Sequence, residues 1–420
     1  MKSIVLGGGV IGVTTAYYLA QEGHEVVVVE ARDQLGTDAT GGNAGLIAPG
    51  HSFAWASPAA PRMLLASLRG QATAIRVKPR LDPKLASWGL QFLRECTTTR
   101  AEANTLIKLK LCKYSQGQLN QLAAAERIEF EHVQRGAAYL YRTEADLELG
   151  VKKMDLLRCH GVPMNVLDAK QVAELDPAFA SAGDTFAGGI HVTSDASGDS
   201  ELFTNELADR CKGLGVQFEL GVTAERFVTD GDSVRGVQTS KGLMRADNYV
   251  LALGIQSPFL SKTAGQRLPI YPAKGYSLTA DIIDPEAAPK VGGVDEATLV
   301  AWSRFGDQLR MSSTAEFSGY SRDWKFSDFS NVLKTGREIF PRAVDWDGAR
   351  MRACLRPMTP DGPPIIGRGK HTNLFYNTGH GHMGWTMACG SSRILTDVMA
   401  GRKPALDLRG FEVRSRRVAA

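Results

Sequence analysis

A chain of 420 residues is too long for one ordinary hydrophobic core, so two domains are expected. Its 43% apolar and 22% charged residues are the proportions of a globular protein, and no apolar run is long enough to span a bilayer. A net charge of +4 is too mild to require nucleic acid, and the six cysteines, Cys96, Cys112, Cys159, Cys211, Cys354 and Cys389, form no C-x-x-C pair; this fits a reducing cytoplasm and offers no metal-site spacing.

Residues 2–6 predict a short apolar strand, entered with no signal-peptide or transit pattern before it, which adds to the expectation of a cytoplasmic protein. Gly7, Gly9 and Gly12 follow at G-x-G-x-x-G spacing. A helical pattern then runs over 13–21, Gly23 stops it, and 24–29 predict a second apolar strand that ends on Glu30. This spacing suits a dinucleotide. The first glycine permits a tight turn, the second lets a pyrophosphate approach the backbone, and the third lets helix and strand pack closely. The phosphates would face the unpaired N–H groups and positive dipole end of the helix. Glu30 stands where a carboxylate accepts hydrogen bonds from a ribose 2′-OH, which argues against a 2′-phosphate and so against NADP. An ordinary glycine-rich turn is the alternative; strand, glycines, helix, strand and acid falling in register favour the dinucleotide.

After Ala31-Arg32-Asp33 comes a second glycine-rich run, Thr40-Gly-Gly-Asn-Ala-Gly-Leu-Ile47, where the backbone can pass close to something flat or anionic and Asn43 offers a side-chain amide. Residues 48–83 are irregular and proline-punctuated. His51, Phe53 and Trp55 there either line a pocket or sit on a surface connector. Residues 62–80 mix Met63, Leu64, Leu65 and Leu68 with Arg62, Arg69, Arg76, Lys78 and Arg80, so this piece either rests on a membrane surface or packs on its own domain. Residues 85–125 read as helical throughout, 137–141 as a strand, 144–159 as a helix and 168–175 as a short capped helix, with no catalytic motif among them.

From Gly188 the pattern changes. A strand at 189–192, a helix at 199–212, strands at 216–220, 224–229, 234–239 and 243–246, and a buried strand ending on Gly254 are what a nucleotide-binding sheet needs for completion. The first domain therefore resumes after an insertion. Residues 268–346 read as long strands with a helix near 329–340, the second half of the inserted unit. The last block ends in Asn377-Thr-Gly-His-Gly-His-Met-Gly-Trp-Thr386 and a helix to about 399, which places a glycine-dense loop at a helix N-terminus, suited to an electron-rich group. The tail Arg414-Ser-Arg-Arg417 is either an anionic-surface contact or solvated charge.

Five stretches together resemble the D-amino acid oxidase superfamily of FAD-dependent oxidoreductases, and within it the small-subunit type of D-amino acid dehydrogenase. They are Gly7-x-Gly9-x-x-Gly12 with Glu30, Asn43-Ala-Gly45, Tyr271-Pro-x-Lys-Gly-Tyr-Ser-Leu278, Leu355-Arg-Pro-Met-Thr-Pro-Asp-Gly362, and Asn377-Thr-Gly-His-Gly-x-x-Gly-Trp-Thr-Met-Ala-Cys-Gly390. The resemblance implies an α/β (α+β) chain in which a discontinuous Rossmann-type FAD-binding domain (1–90, 195–262 and 352–412) carries an inserted substrate-binding domain with a mixed or antiparallel sheet (91–194 and 263–351). It implies FAD, held non-covalently, with Gly7, Gly9, Val10, Ile11, Gly12, Glu30, Ala31 and Arg32 on the adenosine diphosphate and Val222 and Gly254 near by. Asn43, Ala44, Gly45, Leu46, Gly379, Gly381, Met383, Gly384, Trp385 and Thr386 would meet the flavin.

The same resemblance gives Arg356 the substrate carboxylate, a role that suits the forked guanidinium, with Tyr271 or Tyr276 as hydroxyl donors. The reaction it implies is oxidative deamination of D-amino acids to 2-oxo acids and ammonia by hydride transfer to flavin. Electrons would pass to a quinone or other acceptor, with the protein in the cytoplasm or peripheral on the inner membrane. Two positions depart from the pattern. His382 stands where these dehydrogenases usually have a small polar residue, and it either touches substrate, tunes the flavin or fills space. Cys354 stands where they tend to have glycine; it reads as a buried thiol, with a covalent flavin link, as in sarcosine-oxidase-like relatives, the alternative. The enzymatic alternative is oxidation of a secondary amine such as D-hydroxyproline, sarcosine or an N-substituted amino acid; the non-enzymatic one is a flavin-fold scaffolding subunit.

Overall fold

The structure, a computed structural model, describes residues 1–68, 75–78 and 80–413. Arg69 of the basic segment and the basic tail at 414–417 lie outside these residues.

Short apolar runs without alternation form the first sheet, because strands covered on both faces have no polar side to show. Lys2–Leu6 pairs in parallel with Glu25–Val29 on one side and Asn248–Leu251 on the other. Leu374–Thr378 and the antiparallel edge Ile365–Arg368 extend the sheet beyond Asn248–Leu251, and Gln217–Glu219 closes the opposite edge. One face packs Val5, Val26 and Val28 against helices Val10–Gln21, Ser200–Gly213 and Gly384–Met399. The other packs Ile4, Leu6 and Val27 against Phe227, Val234 and Val237 of the three-stranded meander Ala224–Asp230, Ser233–Thr239 and Gly242–Met244. Fully burying each such aliphatic side chain contributes roughly 1.5–3 kcal/mol. The sheet draws on residues from both ends of the chain and its middle.

The second sheet has nine strands among the described residues. In order they are Arg350–Met358, Tyr271–Asp281, Gln308–Phe317, Val300–Phe305, Gly292–Asp295, Ala137–Tyr141, Gly188–Val192 and Met164–Asp168, with Ile75–Val77 added beside the end of Gln308–Phe317. Most neighbours are antiparallel. Helix Ser330–Ile339 covers a core built on Trp302, Phe329 and Phe340.

Three expectations need correction. The continuous helix at 85–125 is two helices, Pro83–Glu95 and Thr98–Glu126, because Thr97 is extended and its hydroxyl accepts from Arg100 N as a cap. The FAD segment expected to begin at 352 begins inside strand Arg350–Met358 of the second sheet; this is an edge strand, so Pro357 removes no obligatory hydrogen bond. Helix Thr98–Glu126, expected in the inserted unit, sends Leu111, Cys112, Leu119 and Leu122 into the core of the first sheet.

Candidate active site

The fingerprint closes tightly on itself. Gly7 has φ +116°, and a Cβ there would lie 2.6 Å from the Ala252 carbonyl oxygen; a Cβ on Gly12 would lie 1.8 Å from the Gly7 carbonyl oxygen. Both positions admit only glycine while helix and strand stay packed. Gly9 begins helix Val10–Gln21 with no side-chain cap, so the first-turn N–H groups face the cleft in front of them, apart from Val10 N, which donates to Thr40 Oγ1 at 3.1 Å. Glu30 follows the second strand. One of its oxygens accepts from Gly8 N at 2.7 Å and the other from Arg32 N at 2.9 Å, which fixes the carboxylate and leaves it lone pairs for a hydroxyl.

A cleft of about 580 Å³ joins this turn to the second sheet. Of the residues expected to hold a cofactor, Gly7, Gly9, Val10, Ile11, Glu30, Ala31, Arg32, Asn43, Val222, Gly254, Gly379, Gly381, Gly384 and Trp385 line it. Gly12, Ala44, Gly45, Leu46, Met383 and Thr386 do not. Asn43 holds its own loop: its amide donates to Thr40 O and Ser200 Oγ, and its Oδ1 accepts from Gly45 N. Thr386 Oγ1 ties Leu46 O and Ala48 N together, Met383 is in the core, and Trp385 Nε1 donates to Gly198 O at 3.1 Å. Sequence reading missed the Thr40 hydroxyl and the Arg322–Asp38 pair, which joins the two sheets at 2.6 Å on the cleft wall. Nothing local marks either one.

These groups fit FAD. A fixed carboxylate suits a ribose, and an uncapped helix N-terminus suits a pyrophosphate. At the other end Asn377 lines the cleft, fully buried, with its Oδ1 lacking any partner among the described residues while its Nδ2 is held by Thr15 and Ser392. An orphaned buried acceptor of this kind is met by a ligand donor.

Arg356 lines the same cleft from the edge strand of the second sheet. Its Nη1 donates to Thr314 O at 2.8 Å and its Nη2 to Ser312 Oγ at 3.2 Å. Thr314 sits at φ +58°, a strained conformation for a β-branched residue. Gly275 leaves the room: a Cβ there would lie 2.4 Å from Arg356 Nη2. Among the described residues no carboxylate pairs with this guanidinium, and burial holds its pKa below the usual value. Cys354 also lines the cleft. It donates weakly to Gly42 O at 3.6 Å, and burial pushes its thiol pKa up.

The two tyrosines are not brought to the cleft. Tyr271 gives its hydroxyl to Asp82 Oδ2 at 2.8 Å and packs beside Trp88 and Phe317. Tyr276 is fully buried in the second core against Phe329. His382 does line the cleft, stacked on Trp55 with centroids 4.7 Å apart and edge-on to His51 at 6.2 Å; its Nε2 is buried without a partner among the described residues. Burial first, then the charges of Lys108, His51 and Arg356, hold its pKa well below the usual value. His380 is likewise pushed down to about 3 by burial, and meets Ser391 Oγ at 3.0 Å.

Behind His382 lies Lys108, 2% exposed, whose ammonium donates to Phe53 O at 2.8 Å. Burial lowers its pKa from 10.5 to about 8. A shift of that size stands for roughly 3 kcal/mol against the charged form.

The chain matches the family described as FAD dependent oxidoreductase over residues 2–398. It is 42% identical over 412 residues to D-amino acid dehydrogenase 2 of Mesorhizobium japonicum, covering 98% of this chain and 99% of that one. It is 41% identical over 407 residues to D-amino acid dehydrogenase of Methylobacterium radiotolerans, covering 97% of each. Among solved structures the fold is similar to glycine oxidase from Geobacillus kaustophilus, with TM-score 0.77, 20% identity, and 98% and 97% of the two chains covered. It is also similar to L-proline dehydrogenase from P. horikoshii, with TM-score 0.73, 18% identity, and 99% and 97% covered.

Proposed function

The chain belongs to the family of FAD-dependent oxidoreductases, and on that premise we propose that it oxidises D-amino acids to 2-oxo acids and ammonia. The observation that carries the reading is Arg356: a buried guanidinium on the cofactor cleft, fixed by two protein acceptors and left without an anion, suits a substrate carboxylate. The relatives named D-amino acid dehydrogenase support the D-amino acid.

Glu30 and the turn Gly7–Gly12 hold the adenosine diphosphate of FAD, while the loop at 379–385 and Asn377 hold its flavin end. Bound there, FAD supplies the two-electron acceptor for oxidation of the Cα–N bond. Arg356 orients the substrate, and Trp385 on the cleft wall excludes water. No side chain acts as a strong base, since His380 and His382 are both held neutral by burial; the substrate reacts with its amine unprotonated. Cys354 stays a thiol, which favours non-covalent FAD.

Electrons pass on to a quinone-type acceptor, with the protein peripheral on the cytoplasmic face of the inner membrane. No helix among the described residues is long and apolar enough to cross a membrane. Exposed Leu65, Leu81, Leu90 and Leu93 beside exposed Arg62, Arg80, Lys84 and Arg94 give helices Ala60–Leu68 and Pro83–Glu95 an amphipathic, basic surface. The full chain is expected to sediment with anionic vesicles and to be released by salt; equal binding to neutral vesicles, or none, counts against the contact.

The substrate class is tested by anaerobic mixing of the yellow holoprotein with primary D-amino acids, cyclic imino acids and N-methyl amino acids. Primary D-amino acids are expected to bleach the flavin. Bleaching by the secondary amines alone would transfer the proposal to that class, and a protein that takes up no FAD would overturn it.

A further inference from the structure

We propose that the preferred substrate carries a second carboxylate on its side chain, held by Lys108 and His382 beyond the α-carboxylate on Arg356. This rests on the D-amino acid reading above and narrows it to the acidic members.

The first support is a charge imbalance. Arg356 lines one end of the cleft beside the neutral His382, Lys108 and His51 stand near His382 without lining it, and the acids near by are already engaged. Glu296 meets His51 at 3.4 Å and Lys153 at 4.0 Å. Asp195 accepts from Tyr139 OH at 2.7 Å and Gly50 N at 2.9 Å. Among the described residues, no carboxylate lies within ion-pair distance of either Arg356 or Lys108. An amino acid's α-carboxylate neutralises one of these two buried cations and leaves the other. Buried charges are paired in folded proteins because desolvation is otherwise uncompensated. A second carboxylate completes the pairing.

The second support is the set of unmade hydrogen bonds. Lys108 is 2% exposed, yet its ammonium, with three donors, has one acceptor among the described residues, Phe53 O. His382 Nε2, buried on a ring that lines the cleft, has none among them. A neutral imidazole carries one N–H, which a carboxylate accepts. Stacking on Trp55 and the edge of His51 fix the ring's plane. Gly362, at φ +103°, brings the loop after the Arg356 strand against the Lys108 stem, where a Cβ would stand 3.4 Å from Lys108 Cδ. The loop thus links the two cation sites.

The comparison that tests this is kcat/KM for D-glutamate against D-glutamine and D-aspartate against D-asparagine, measured on holoenzyme with a dye acceptor and with D-alanine as reference. The expected acid-to-amide ratio in the unmodified enzyme is about tenfold or more. K108M should bring it to about one, K108R should keep most of it, and H382Q should lower it while retaining FAD absorbance. A ratio at or below one, or a ratio that survives both K108M and H382Q, overturns the inference. Flavin reduction by D-alanine with a flat ratio would leave the D-amino acid reading standing and remove this subsite alone, whereas no reduction by any D-amino acid would remove both.

Discussion

Replacing Arg356 with alanine is expected to lower kcat/KM for D-amino acids by about 10²–10³-fold, chiefly through KM, while the purified protein stays yellow. The size follows from removing one partner of a buried, hydrogen-bonded charge pair, which costs about 2–5 kcal/mol, with tenfold for each 1.4 kcal/mol. FAD should remain because the residues proposed to hold it are others, the turn at Gly7–Gly12, Glu30 and the loop at Gly379. Lysine at 356 should restore only part of the loss, since an ammonium keeps the charge but lacks the fork that Thr314 O and Ser312 Oγ hold in place. Steady-state kinetics with a flavin-content measurement decide the matter. Unchanged kinetics in the alanine variant would take Arg356 out of the site.

Gly12→Ala is expected to abolish the yellow colour, with FAD affinity weakened by about 10²-fold or more. The added methyl would sit 1.8 Å from the Gly7 carbonyl oxygen, so helix Val10–Gln21 must move off strand Lys2–Leu6 or unwind its first turn. Overpacking against side chains costs about 1–3 kcal/mol because they can rearrange. Here the obstacle is backbone in the turn proposed to face the phosphates, so the displacement falls on the N–H groups proposed to bind FAD. Gly117→Ala is the control. It lies inside helix Thr98–Glu126 with nothing within 4 Å of its would-be Cβ, and should be neutral or stabilising by about 0.5–1 kcal/mol. Titration of apoprotein with FAD separates the two. Gly12→Ala binding FAD normally would mean that the fingerprint turn is not the phosphate site.

The contrast between these two positions shows how far the sequence was legible. Gly7, Gly9, Gly12 and Glu30 lie within one strand–helix–strand unit, where spacing along the chain is spacing in space, so the cradle could be read before any fold was known. Arg356 could be read only through its motif, because its acceptors, Thr314 and Ser312, are more than forty residues away in sequence. Tyr271 and Tyr276 belong to a different motif, Tyr271–Leu278, and do not reach the cleft. They sit an odd number of positions apart on one strand, Tyr271 turned to Asp82 and Tyr276 sunk against Phe329. Neither partner is visible from strand Tyr271–Asp281 alone.

Lys108 marks the other limit. In sequence it is one lysine in a long helix that also carries Lys110 and Lys113, and a solvated charge is the natural reading. Its burial comes from Phe53 and Ala54 of an irregular stretch and from Gly362 near the far end of the chain. Alone, the sequence determined the cofactor class and the run of most strands and helices along the chain, because glycine spacing, strand periodicity and short motifs are local properties. Tertiary structure decided which charges are left without a counter-ion at the end of the cleft, because burial and pairing depend on side chains that meet only when segments hundreds of residues apart are packed together.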